Sequence, residues 1–103
     1  WCQPCRAELP LIQSFADRYE KELVVLAINM GEDRTNVEHF VNEFNYDLHF
    51  LLDQSTSVAK KFMVRGLPTT IFIDMEGQIQ ARHIGLLNEE LISDYLEQIG
   101  VVE

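Results

Sequence analysis

Apolar residues recur at helical spacing over two segments in the first half of the chain. Over Pro4–Glu22 they return every three or four positions with charged residues between them, which predicts an amphipathic helix. Pro10 falls inside this segment and predicts a bend there. A second helix is expected further on, where Thr35 and Glu38 form a capping box ahead of another apolar face.

Two further helices are predicted in the second half. A brief one runs from about Thr56 to Phe62, and a longer one begins after Asn88 as N-cap and stops at Gly100. The residues expected to face inward on the four helices are Leu9, Ile12, Phe15, Ala16, Tyr19, Val37, Phe40, Val41, Phe44, Val58, Ala59, Phe62, Leu91, Ile92, Tyr95, Leu96 and Ile99.

The strand signals lie between these helices. The continuous apolar run Val24–Ile28 is typical of a strand covered on both faces, as in a parallel sheet. A short extended piece is expected at Phe50–Leu52, and "GLPTTIFIDMEGQIQARHIG" predicts an antiparallel hairpin that turns around Met75–Gly77 and brings Phe72 into the core. His83 is interpreted as a strand-end residue rather than a catalyst. Together these elements predict one α/β domain over residues 1–103.

The charge composition argues against two classes of binding partner. The chain has 17 acidic and 8 basic residues, a formal net charge of −9. Binding to nucleic acid or to an anionic membrane needs clustered Lys and Arg, so we expect neither. The charge favours solubility first and encounter with a basic partner second. The longest apolar runs are far shorter than a bilayer-spanning helix.

The chemistry-bearing motif is "WCQPC", which holds both cysteines of the chain. A cysteine at the first turn of a helix faces unpaired N–H groups that favour thiolate over thiol, so we expect a lowered pKa for Cys2. Cys5 lies one turn on, within bonding reach and more buried. Cys2 can then attack a substrate disulfide, and Cys5 can resolve the mixed disulfide. Pro4 stiffens the loop and Trp1 can shield one side of the nucleophile.

The cysteine pair has two alternative interpretations, a zinc site and a structural disulfide. Half of a zinc site needs a second pair of ligands, and the three histidines are scattered over different elements. A purely structural disulfide that closes so small a loop would stabilise the fold little.

The second candidate motif is "RGLPTT", in which Pro68 lies before a β-branched strand. Either a trans turn or a cis Leu67–Pro68 bond fits this pattern. The cis form would leave the Leu67 backbone free to pair with an extended substrate.

The motifs "WCQPCRAELP" and "GLPTTIFID", together with "GLLNEELISDYL" near the end, resemble the TlpA/ResA-like thiol–disulfide oxidoreductases of the thioredoxin superfamily. The resemblance implies a thioredoxin-like mixed sheet flanked by helices. It implies that Pro68 is cis and faces the dithiol across a shallow groove, with Trp1, Pro4, Leu67 and Thr69 also contributing to substrate binding. It further implies that Glu8 is the acidic residue kept near the active site, whereas its position alone suggests a surface carboxylate.

The resemblance also implies a central strand immediately before the Trp-Cys motif, and this chain begins without it. The expected position of that strand is between Val24–Asn29 and Thr70–Asp74. Its absence would leave two sheet edges unpaired. We therefore expect an N-terminally incomplete domain, and if the chain folds as given, a second copy or another chain fills the gap or the remaining strands re-pair.

The predicted function is exchange of a Cys2–Cys5 dithiol with disulfides in partner proteins, with electrons supplied by another dithiol protein and no metal or organic cofactor. By resemblance, apocytochrome c is among the substrates and the intact protein is extracytoplasmic, with a cytoplasmic location left open. One alternative is a peroxiredoxin-like peroxide reductase, although "WCQPC" lacks the Thr-x-x-Cys pattern of that class. The other is a redox-inactive fragment or binding module.

Overall fold

The computed structural model describes residues 2–101. Helices and strands alternate along most of this range, and the fold class is α/β, as predicted. The elements are α1 (Gln3–Arg18), β1 (Leu26–Met30), α2 (Arg34–Phe44), β2 (His49–Asp53), α3 (Ser57–Lys61), β3 (Thr69–Ile73), β4 (Ile79–Ile84) and α4 (Glu89–Gln98). They fall into two compact units. The first combines the residues up to Leu23 with those from Gly66 onward, and the second is Val24–Arg65.

Each unit contains one two-stranded sheet. In the second unit β1 pairs with β2 in parallel, with Leu26 opposite His49. In the first unit β3 pairs with β4 antiparallel, with Thr69 opposite Ile84 and an irregularity after Phe72. The predicted hairpin is confirmed, and Gly77 supplies the positive φ of 81° that its turn requires.

The hydrophobic core of the first unit is built from α1, β3 and α4. Its buried members are Phe15, Phe72, Leu87, Ile92, Leu96 and Val101. Phe72 stacks on Tyr95 with ring centroids 4.6 Å apart. The site residues described below therefore rest on elements that are anchored in one common core.

The two long helices of this unit start where the sequence indicates, but one ends early. α4 has Asn88 as N-cap, whose side chain accepts the Leu91 N–H at 2.8 Å, and Gly100 follows the helix with φ of 90°. α1 runs through Pro10 without interruption. The prediction that it extends to Glu22 is wrong: the helix ends at Arg18, because the chain turns at Tyr19.

The second unit corrects the predicted start of α2. The capping box at Thr35 is wrong: the N-cap is Asp33, whose carboxylate accepts the Asn36 N–H at 2.9 Å. Both residues are good cap formers, and Asp33 lies at the point where the backbone leaves the extended conformation.

Burial in the second unit is also lower than the apolar pattern predicts. Leu26 and Ile28 of β1 are 56% and 48% exposed, so the prediction of a strand covered on both faces is wrong for the described residues. Phe44 and Phe62 were expected in the core but are exposed as well. Phe44 lies against Phe40, with ring centroids 4.9 Å apart, so these two aromatic rings pack against each other.

Candidate functional site

The cysteine pair sits at the start of α1. Cys2 is the N-cap, and its Sγ accepts the backbone N–H of Cys5 at 3.2 Å. The two sulfurs form a disulfide, and both residues are half-buried. Gln3 opens the helix and exposed Pro4 follows it, in a turn where a missing N–H costs nothing. A negative charge on the Cys2 sulfur would face the N–H groups of this helix terminus.

The second part of the site is the segment that leads into β3. The Leu67–Pro68 peptide bond is cis. Pro68 is buried and its carbonyl accepts the Gly85 N–H at 2.8 Å, whereas Leu67 is 46% exposed. The hydroxyl of half-buried Thr69 donates to the Gly66 carbonyl at 2.6 Å, which closes the turn ahead of the strand. An exposed residue, Leu67, is thus joined through a cis bond to a buried proline.

Glu8 lies on α1, about one helical turn beyond Cys5 and two beyond Cys2. Its side chain is buried, with only 5% of the residue exposed, so the alternative of a surface carboxylate does not hold. Oε2 accepts the backbone N–H of Leu87 at 2.8 Å. Burial raises the pKa of Glu8 above its ordinary value, and the Leu87 hydrogen bond and the charge of His83 oppose this rise.

His83 was interpreted from the sequence as a strand-end residue, and its contacts were not predicted. Its Nδ1 lies 2.9 Å from the Tyr95 hydroxyl and its Nε2 lies 3.0 Å from the Leu86 carbonyl oxygen. The only sequence signal is the period-two pattern of β4, in which Ala81 and His83 share the half-buried face. The pattern predicts that the His83 ring lies on the half-buried face of β4, but it does not predict which groups the ring contacts.

The loop between β4 and α4 forms hydrogen bonds with two of the predicted site residues, Pro68 and Glu8. Gly85 bonds to Pro68, and two residues later Leu87 bonds to Glu8. Cys2 and Cys5 share α1 with Glu8. Trp1, expected to help bind the substrate, lies outside the described residues.

Metal-ligand clusters and helices able to span a membrane are both absent from residues 2–101. That range contains no group of three or more His, Cys, Asp or Glu side chains arranged to hold a metal ion. It also contains no helix with the length and apolar character needed to cross a membrane.

Comparison with known proteins gives matches along almost the whole chain. The Redoxin family profile matches residues 1–99. The thiol-disulfide oxidoreductase ResA of Geobacillus thermodenitrificans is 35% identical over 100 residues, which cover 96% of this chain and 58% of the relative. The chain therefore spans less than two thirds of that relative's length.

Solved structures of known proteins also match almost the whole chain. StoA from Bacillus subtilis superposes with a TM-score of 0.81 at 25% identity, covering 92% of this chain and 74% of that one. The exposed lipoprotein thioredoxin of Streptococcus pneumoniae gives a TM-score of 0.84 at 27% identity, covering 95% and 77%. The chain belongs to the Redoxin family and is a TlpA/ResA-like member of the thioredoxin superfamily.

Proposed function

We propose that this protein is a thiol–disulfide oxidoreductase that acts on disulfides of partner proteins. The observation that carries the proposal is the position of Cys2 as N-cap of α1, with its sulfur accepting the Cys5 N–H. This arrangement favours the thiolate, which is the form of cysteine that attacks disulfides. The Geobacillus relative is a thiol-disulfide oxidoreductase by name, which supports the same activity.

The reaction starts from the reduced pair. The Cys2 thiolate attacks one sulfur of the partner disulfide, the partner's S–S bond breaks, and the second partner sulfur leaves as a thiolate that takes up a proton. Cys5 then loses its proton and attacks the Cys2 sulfur, which forms the Cys2–Cys5 disulfide and releases the first partner sulfur as a thiolate that takes up a proton. Two electrons and two protons have passed to the partner. The disulfide in the structure corresponds to this oxidised product.

The remaining candidate residues have supporting roles in the proposal. Leu67 is exposed beside buried Pro68, and in the proposal its backbone pairs with an extended stretch of the partner. Thr69, Pro4 and Trp1 border that binding region. Glu8 acts from within α1 on the ionisation of the thiols, because an ionised carboxylate disfavours a second negative charge nearby. A dithiol protein of lower potential reduces the pair again.

Matched cysteine variants test the proposal. Cys5→Ser keeps the attacking thiol but removes the resolving one, so it should accumulate mixed disulfides with a disulfide substrate such as insulin. Cys2→Ser should accumulate almost none. Gel mobility under non-reducing conditions with mass spectrometry measures both. The reduced parent protein should reduce insulin and should not consume hydrogen peroxide, which separates this activity from the peroxide-reductase alternative. Equal trapping by both variants, or none by either, would contradict the proposal.

Reactivity of the free thiol gives a second test. In the reduced protein, iodoacetamide at neutral pH should label Cys2 faster than it labels free cysteine, because the helix terminus stabilises the anion. Labelling at or below the rate of free cysteine would remove the basis for Cys2 as nucleophile.

The finer assignments are also proposals. Apocytochrome c as a substrate rests on the TlpA/ResA resemblance and on the net charge of −9, which would attract a basic partner. An oxidised peptide with two residues between its two cysteines and a histidine directly after the second, the pattern of c-type haem attachment, should then be reduced faster than insulin, and more so at low salt. An extracytoplasmic location is supported by the Streptococcus relative, described as an exposed lipoprotein. Fractionation of cells that express the intact protein tests that location.

A further inference from the structure

A chain of hydrogen bonds crosses the first unit from α4 to α1. The Tyr95 hydroxyl contacts His83 Nδ1 at 2.9 Å, and His83 Nε2 contacts the Leu86 carbonyl at 3.0 Å. The N–H of the next residue, Leu87, donates to Glu8 Oε2 at 2.8 Å. The Leu86 carbonyl and the Leu87 N–H belong to the same peptide unit. One peptide plane is therefore held by His83 on one side and by Glu8 on the other.

Hydrogen-bond chemistry fixes the roles of the groups in this chain. A carbonyl oxygen only accepts, so Nε2 of His83 carries a hydrogen and donates to Leu86. In the neutral ring Nδ1 then accepts from the Tyr95 hydroxyl, and in the charged ring it donates to the same oxygen. Both protonation states keep the chain intact. Donation to the carbonyl also polarises the peptide, which strengthens the Leu87 N–H as a donor to Glu8.

We propose that His83, oriented by Tyr95, is a positioning residue for Glu8: it holds the Leu86–Leu87 peptide in the orientation that presents its N–H to the Glu8 carboxylate. Leu87 is buried in the core, so its N–H needs a partner, and Glu8 supplies it. Without His83 the Leu86 carbonyl would lose this donor, and of the two hydrogen bonds that orient the peptide only the one to Glu8 would remain.

The same loop, through a different peptide, also bonds to Pro68, the proline beside the proposed binding residue Leu67. Gly85, two residues before Leu87, donates to the Pro68 carbonyl. The proposed effect of His83 on the redox reaction rests on the proposed function, because it operates through Glu8 on thiol ionisation. The effect on Glu8 itself does not depend on that function.

The titratable groups that face the peptide come from three elements: Glu8 from α1, His83 from β4 and Tyr95 from α4. At the start of α4, Glu89 pairs with Arg18 of α1 at 4.0 Å, at a solvent-exposed position. A positive charge on His83 favours ionised Glu8, in agreement with its lowering effect on the Glu8 pKa.

The first test titrates Glu8 in the oxidised protein, where no thiol is present, by ¹³C NMR of the side-chain carboxyl. His83→Phe removes both the donor and the charge, and we expect the Glu8 titration to move to higher pH while the Leu87 amide exchanges faster. His83→Gln keeps a donor for Leu86 but not the charge, so we expect a smaller shift and a protected Leu87 amide. His39→Gln, at an exposed histidine of α2, is the control and should change neither.

An unchanged Glu8 titration in His83→Phe would overturn the proposal. If that variant does not fold, His83→Gln and Tyr95→Phe decide in the same way: their Glu8 titrations should lie above that of the parent protein. A role limited to packing would lower thermal stability and leave the titration where it is.

The second test asks whether His83 acts through Glu8. In the reduced protein the pH profile of Cys2 alkylation is compared among the parent, His83→Phe, Glu8→Gln and the double variant. We expect the His83 substitution to shift the profile when Glu8 is present and to leave it unchanged in the Glu8→Gln background. An equal shift in both backgrounds would overturn positioning through Glu8. If Cys2 is unreactive in every protein, the proposed function fails, while the titration of the oxidised protein still decides the role of His83.

Discussion

At the scale of single residues, Glu8 combines a buried position with an ionisable group. Burial disfavours its charged form, so the folded protein holds the proton to higher pH than the unfolded chain does. Over the range from the ordinary value of 4.5 up to the raised folded value, the native state binds more protons than the unfolded state. The free energy of unfolding therefore falls as pH rises through that range, and the loss persists at neutral pH.

Glu8→Gln should remove this penalty. The amide oxygen can accept the Leu87 N–H, and no charge has to be buried. We expect the variant to be more stable than the parent at pH 7, by an amount on the order of 1 kcal/mol, with the difference vanishing below about pH 4. Urea unfolding of the oxidised proteins at several pH values measures it. The exposed carboxylate Glu97 is a matched control, and Glu97→Gln should show no such trend. A less stable Glu8→Gln at pH 7 would mean that the charge is well accommodated.

The partner of Glu8 illustrates what a residue pattern cannot predict. Leu87 is 79 positions away in the chain, and the bond uses its backbone N–H, which carries no side-chain signature. The spacing of "WCQPCRAE" places Glu8 on the same helix as the cysteines, and the structure confirms this placement. Whether its carboxylate meets water or a backbone amide depends on the fold of the β4–α4 loop.

At the scale of elements, α3 depends on a side chain outside the helix. Thr56, its N-cap, makes no side-chain capping bond. Instead buried Asp53 at the end of β2 accepts the N–H groups of Val58 and Ala59 at 3.1 and 2.9 Å. The Ala59 bond, with help from the Val58 bond, holds the pKa of Asp53 below its ordinary value of 3.8, although desolvation opposes it. A lowered carboxyl pKa contributes stability that is present above that ordinary value and is lost as pH falls through the folded value.

Asp53→Asn should loosen this element. An amide offers one acceptor oxygen where the carboxylate offers two, and it has no charge to strengthen either bond. We expect the amides of Val58 and Ala59 to exchange roughly tenfold faster in the variant at neutral pH. Hydrogen exchange followed by NMR provides the measurement. Asp94→Asn, at an exposed position on α4, should leave both amides unchanged; unchanged exchange in Asp53→Asn as well would show that the cap contributes nothing.

The β3–β4 turn depends on the backbone of Gly77. Its φ of 81° lies in the left-handed region, and a Cβ added there would meet no atom within 4 Å. The cost of Gly77→Ala is therefore conformational alone, about 1–2 kcal/mol, and Gly77→Asn should cost less, because asparagine tolerates this region. Urea unfolding of both variants separates the two values. Equal stability of the two would mean that the turn changes its conformation instead of bearing the cost.

Element starts and stops were predicted well where the signal is local. Asn88 and Gly100 bracket α4 as expected, because an N-cap and a left-handed C-terminal glycine act on the backbone beside them. The start of α2 was wrong because two good caps stand two residues apart, and sequence does not rank them. The short α3 was predicted to begin near Thr56, but the side chain that accepts its first N–H groups is Asp53, which belongs to the preceding strand.

At the scale of the whole molecule, the apolar pattern overestimates burial in only one of the two units. Phe15 and Phe72 are buried in the first unit as predicted. Phe44 and Phe62 of the second unit satisfy the same periodicity and are nevertheless exposed. Periodicity identifies the face of a helix that can be buried, and a covering element has to be present for burial to occur. The proposal of a central strand between Val24–Asn29 and Thr70–Asp74 stays a prediction.

Redox state and folding stability are coupled in the molecule as a whole. The Cys2–Cys5 disulfide closes a four-residue loop, and restricting the unfolded chain in this way contributes about 2 kcal/mol to the oxidised protein. In the reduced protein, a Cys2 thiolate would instead be stabilised by the N–H of Cys5 and the terminus of α1, which requires a folded pKa below that of an unfolded cysteine. That stabilisation is gained as pH rises through the folded pKa and is complete above about pH 8.5.

We therefore expect the difference in thermal midpoint between oxidised and reduced protein to narrow as pH is raised from about 5 to 8.5. Calorimetry of both redox states at several pH values measures it. Cys2→Ser, which forms neither the disulfide nor the thiolate, should behave identically with and without reductant at every pH. A midpoint difference that stays constant over the whole range would mean that folding does not favour the Cys2 anion. In that case the helix terminus does not activate the nucleophile, and the N-cap position of Cys2 is only a means of closing the disulfide.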